Sequence, residues 1–147
     1  MLKTDEWLSL SVVGLVVLFV FLSISFYAFL IGPNSEGPRT IIEPSSSFIQ
    51  IIFLSVAPAV ALSFFTNAVS GERSKVSSLL VISSGIILIV GMIYVSFLIP
   101  QVKYIELPLW VANTPLIFTL FGILLFLLGV IKYRKSIQTR NTTFDSN

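Results

Sequence analysis

Long apolar runs alternate with short polar segments along the whole chain. No Asp, Glu, Lys or Arg occurs in 7–35, 44–71, 76–102 or 107–131. Each of these gaps exceeds the roughly 20 residues that carry a helix across a hydrocarbon core about 30 Å thick. The pattern predicts spans at 7–31, 48–69, 76–99 and 109–131. Continuous apolar runs lack the alternation of barrel strands, and a backbone that must satisfy its own hydrogen bonds in lipid selects helices. The expected fold is all-α: a polytopic membrane protein with four transmembrane helices in two antiparallel hairpins. Residues 1–131 form the membrane domain, and 132–147 a basic, disordered tail.

The connections refine this picture. The link at 70–75 is short, which predicts a tight antiparallel hairpin of the second and third spans. Two Gly and two Pro make 32–39 a turn-rich loop. Three prolines interrupt 100–115, where Tyr104 and Trp110 suit the membrane boundary, so an interfacial stretch is expected. Thr114 as N-cap and Pro115 at the first helical position would shorten the fourth span to about 17 residues. The first span is expected to persist as an anchor: it is longer than a signal-peptide core, Asp5 and Glu6 oppose a basic leader, and no A-x-A site follows.

Charge then sets orientation. With four spans, one side carries Lys3, Arg73, Lys75, Lys132, Arg134, Lys135 and Arg140, and the other only Arg39 and Lys103. The positive-inside rule places both termini in the cytoplasm, the protein being a multi-pass component of the cell membrane.

Composition limits the chemistry. Hydrophobic residues make up 55% of the chain and charged residues 11%, against the roughly 25% charged of soluble domains. Cysteine and histidine are absent, which removes thiol chemistry and the common haem, copper and zinc ligands; no cofactor or metal is expected. Met92 alone reads as a packing or lipid-facing residue. The carboxylates Asp5, Glu6, Glu36, Glu43, Glu72, Glu106 and Asp145 sit in loops and termini without a spacing that implies a shared site, so no catalytic residue is assigned. There is no phosphate-binding loop and no nucleic-acid signature beyond a basic tail. Proton-coupled transport needs an ionisable group at membrane depth, and these spans carry none.

What remains is a pattern of small residues. In SVAPAVALSFFTN, Ser55, Ala59, Ser63 and Asn67 recur every four residues and form one stripe on a helix, with Ala57 and Ala61 beside it. Pro58 frees the carbonyl of Leu54. The third span carries Ser77, Ser84 and Gly91 at intervals of seven, with Ser78 and Gly85 adjacent; the fourth carries Gly122 and Gly129. Two readings are open: a pore or substrate groove, or packing seams that let helix backbones approach. The thirteen phenylalanines read as lipid-facing or packing residues.

Four spans whose interior is free of His and Cys, as in SVAPAVALSFFTN and SSLLVISSGIILIVGM, resemble the small accessory membrane subunits beside archaeal respiratory and copper monooxygenase complexes, ammonia monooxygenase among them. That resemblance implies partner subunits that hold any metal. The expected function is a non-catalytic accessory or structural subunit of a larger membrane complex, in contact with lipid and other membrane proteins. The alternative is a small oligomeric channel or transporter for an uncharged or weakly polar solute. A membrane enzyme would need catalytic groups from a partner.

Overall fold

The computed structural model describes residues 4–32, 37, 61, 74–102, 107 and 109–144. Helix α1 is Thr4–Ile31, α2 is Lys75–Leu98, and α3 is Leu109–Phe144, with a 3₁₀ turn at Ile99–Gln101 after α2. Among the described residues there is no strand. A stretch of 26 residues in α1, one of 27 formed by α2 with its 3₁₀ turn, and one of 27 in α3 are long and apolar enough to cross a membrane. At about 1.5 Å per residue each exceeds the hydrocarbon thickness. Three of the four expected spans are thus present as helices, and the run at 48–69 lies outside the described residues except for Ala61.

Helix directions follow from side-chain pairs. Ser9 meets Ser77 near the start of both α1 and α2, and Val20 lies against Gly91 further along both, so these two helices run parallel. Ile82 packs on Gly129 and Ile89 on Gly122, so α3 runs antiparallel to α2. The far end of α1 closes with Gly32 at φ 68°, its N–H on the Ala28 carbonyl at 3.2 Å, a left-handed cap suited to glycine. The Gly37 N–H then returns to the Ile31 carbonyl at 3.0 Å.

α2 is the central element and touches both neighbours. Gly91 faces α1 and Gly85 faces α3. Six residues at about 100° each place these contacts roughly 120° apart around α2, twice what three mutually touching helices would subtend. α1 and α3 therefore meet through large side chains, chiefly Phe19 on Phe118 with ring centroids 4.4 Å apart. Val12, Val16, Phe19, Val81, Leu88, Met92 and Leu125 fill the interior. Helix association in lipid gains little from water exclusion, so close packing of such side chains is what holds the bundle.

Two expectations about α3 change. The helix begins at Leu109 and contains Pro115, where the sequence suggested a start at Pro115. It also continues through Phe144, past residue 132 where the sequence predicts a disordered tail. The segment after 131 contains no Gly or Pro, and a helix already nucleated in the membrane extends at low cost. Lys132 and the buried Ser136 hold its first turn to the bundle.

Candidate functional site

At the end where α1 and α2 begin, polar side chains knit all three helices together. The Lys132 ammonium donates to Ser77 Oγ at 3.0 Å, and Ser77 Oγ shares a short hydrogen bond with Ser9 Oγ. Ser74, the N-cap residue of α2, donates to Glu6 Oε1 at 2.6 Å. Glu6 stands in the first turn of α1, so its carboxylate lies by the positive ends of two parallel helix dipoles. Lys75, Arg134 and Lys135 are exposed around this cluster.

The small residues expected at helix contacts divide between two faces. Gly91 lies against Val20 of α1, where a Cβ would overlap the valine methyls. A Cβ on Gly85 would stand 2.7 Å from the Phe126 backbone nitrogen and 2.9 Å from the Gly122 carbonyl oxygen. On α3, a Cβ at Gly122 would lie 3.2 Å from the Gly85 carbonyl oxygen, and one at Gly129 2.9 Å from the Ile82 nitrogen. Ser77, Ser84, Gly91, Gly122 and Gly129 are all buried, and the Ser84 hydroxyl donates to the Leu80 carbonyl at 2.9 Å within its own helix. Ser55, Ala59, Ser63 and Asn67 lie outside the described residues.

A second polar contact escaped the sequence reading. Pro115 has no N–H for the carbonyl four residues earlier, and that carbonyl, of Val111, accepts the Tyr27 hydroxyl at 2.8 Å. Tyr27 is fully buried. The signal was a tyrosine inside one span and a proline inside another, invisible as a pair until Pro115 is placed within α3. One turn below Tyr27, the Ser23 hydroxyl is buried with no hydrogen-bond partner among the described residues.

The outer surfaces differ in kind. α2 and α3 present large side chains, including Val90, Phe97, Leu116 and Leu120. α1 presents Ser11, Gly14, Ser25 and Ala28 among larger residues, and a Cβ on Gly14 would meet nothing within 4 Å. Among the described residues no three His, Cys, Asp or Glu side chains come together as a metal site. Compared with protein-family models, curated proteins and solved structures, the chain matches none.

Proposed function

We propose that this chain is a non-catalytic accessory or structural subunit of a larger integral membrane complex, crossing the cell membrane four times with both termini cytoplasmic. The observation that carries this reading is that bonds between and within helices take up most polar groups of the described spans, the buried Ser23 hydroxyl excepted. Ser9 and Ser77 bond between helices, Tyr27 repairs the Pro115 gap, and Ser11, Ser78, Ser83, Ser84, Ser96 and Thr119 bond to carbonyls four residues back. Along the axis between the helices, Phe19, Leu88, Met92 and Leu125 fill the space that a solute would need. This favours packing over a conducting path.

The fourth crossing is supported by direction. α1 and α2 run parallel, so a chain that leaves the far end of α1 has to return across the bilayer before α2 starts. The run 48–69 is charge-free and about 33 Å long as a helix. Orientation is supported by the cationic end formed by Lys75, Lys132, Arg134 and Lys135. A partner surface is supported by the small outward face of α1, which lipid tails do not require. Within this reading the accessory subunits of archaeal respiratory or copper monooxygenase complexes remain the class it resembles, with copper held by histidines of other chains.

Extraction from native membranes in mild detergent, native separation and mass spectrometry test the proposal. Stoichiometric recovery with the same larger membrane proteins is the expected result. A clean homo-oligomer that supports solute flux in vesicles would replace the subunit reading with the channel.

A further inference from the structure

We infer that the outer groove between α2 and α3, at the cationic end of the molecule, holds one anionic phospholipid, its phosphate on Lys75 and Arg134 and an acyl chain along the groove below. Such a site needs only that α2 and α3 cross a membrane, with or without partner subunits.

Two cations from different helices stand on the walls of this groove. On α2, Gly85 faces α3, and Lys75 lies about 80° round from it in the sense away from Gly91, the α1 contact. On α3, Gly122 faces α2, and Arg134 lies about 120° round from it in the sense away from Phe118, which meets Phe19 of α1. Both therefore flank the α2–α3 seam on the side turned away from α1. Their depths agree as well. Gly129 packs on Ile82 and Gly122 on Ile89, and the same antiparallel register carried to the end of the bundle sets Arg134 level with Ser77, about 3 Å from the level of Lys75. The glycine contacts hold the two axes near the short end of the usual spacing, about 8 Å, so both long side chains can reach one phosphate over the seam. Both are exposed, and half-buried Tyr133 lies between them.

The position along the membrane normal selects a lipid as the source of that phosphate. The charge-free run of α2 starts directly after Lys75, and that of α3 ends three residues before Arg134. Both cations thus stand at the headgroup boundary, where a lysine or arginine attracts anionic lipid and an arginine grips phosphate with paired donors. Below them the groove is apolar: Ile82 and Val130 are half-buried at its floor, and Ile86 and Ile123 are exposed at its rims, 47% and 42% accessible. From Lys75 to Ile86 the groove descends about 16 Å, about half the hydrocarbon thickness and the depth of one leaflet. The only carboxylate among the described side chains, Glu6, belongs to α1 on the other flank of α2, where it accepts from Ser74. Nothing described in the groove opposes a negative headgroup.

The full chain in detergent is titrated with phosphatidylglycerol, or with phosphatidylcholine of the same acyl chains, and bound lipid is counted by native mass spectrometry. The first phosphatidylglycerol is expected to bind several-fold more tightly than the first phosphatidylcholine. Lys75→Gln with Arg134→Gln should weaken it by about fivefold for each cation removed, and Lys75→Arg with Arg134→Lys should retain it. Lys135→Gln removes a cation of the same end that lies about 100° round α3 from Arg134, outside the groove, and should leave the first site nearly unchanged. Equal affinity of the native chain for the two lipids overturns the site without recourse to any variant. A double variant that binds like the native chain overturns it too, as does a loss from Lys135→Gln as large as from the double variant, which would mark a diffuse cationic surface. Full displacement of the lipid by millimolar inorganic phosphate would make the free anion the ligand and reject the lipid.

Discussion

The Tyr27 hydroxyl donates to the Val111 carbonyl at 2.8 Å, across from the position where Pro115 withholds an N–H. One side chain of α1 thus repairs a backbone defect in α3. In lipid, an unpaired carbonyl has no water to turn to, which is why a proline inside a membrane helix is tolerated where a neighbouring helix offers a donor.

Tyr27→Phe is expected to destabilise the bundle by about 1–2 kcal/mol, within the range for a buried acceptor left unpaired or an interhelical bond lost in the membrane. Pro115→Ala restores an N–H for Val111. In that background Tyr27→Phe should cost distinctly less. Thermal unfolding of the four proteins of this cycle in detergent measures the coupling; equal costs in both backgrounds would show that the tyrosine does not serve the proline gap.

Three glycines should respond to alanine in a fixed order. At Gly85 the new methyl meets backbone of α3, which cannot rotate away, and a cost of about 1–3 kcal/mol is expected. At Gly91 it meets the Val20 side chain, which a rotamer change relieves in part. At Gly14 it meets open space, and the isolated chain should gain up to about 1 kcal/mol of helix propensity. Unfolding midpoints that fail to fall in the order Gly14→Ala, native, Gly91→Ala, Gly85→Ala would contradict the close contacts described.

Gly14→Leu carries a separate expectation. Without partners, the variant should fold as the native chain does, because nothing in α1–α3 occupies that space. With partners seated on α1, its recovery in the native complex should drop several-fold. Unchanged recovery would remove the outward face of α1 as the subunit contact.

Ser77 joins Lys132 to Ser9, so its loss breaks both of these hydrogen bonds. Ser77→Ala is expected to destabilise the bundle by about 1–3 kcal/mol. Denaturant titration in mixed micelles measures it, and an unchanged midpoint would mean that the link from Lys132 through Ser77 to Ser9 contributes nothing to stability.

Much of this arrangement was legible in the sequence, though unevenly. Charge-free runs mark the three helices because charge is costly at membrane depth, and seven-residue spacing marks Ser77, Ser84, Gly91, Gly122 and Gly129 as one-sided. Which neighbour each residue meets was not legible: Gly85 and Gly91 serve different helices, and only the angle around α2 reveals it. Pro115 misled because proline is as well suited to a helix start as to a kink, and the deciding donor, Tyr27, is 84 residues from the carbonyl it serves. The extension beyond residue 131 was missed because a polar segment without an apolar face resembles a loop until a preceding helix and a bonded Lys132 carry it forward.

That extension gives the molecule a mast. Ser136 is still buried in the bundle and the membrane-suited stretch of α3 runs to Ile137, so seven further residues of the helix project about 11 Å beyond it. A docking object that meets the tip of such a rod is held off from the bilayer by its length, whereas one that grips the base can touch the headgroups. The height of the mast, more than its composition, separates those two classes of neighbour.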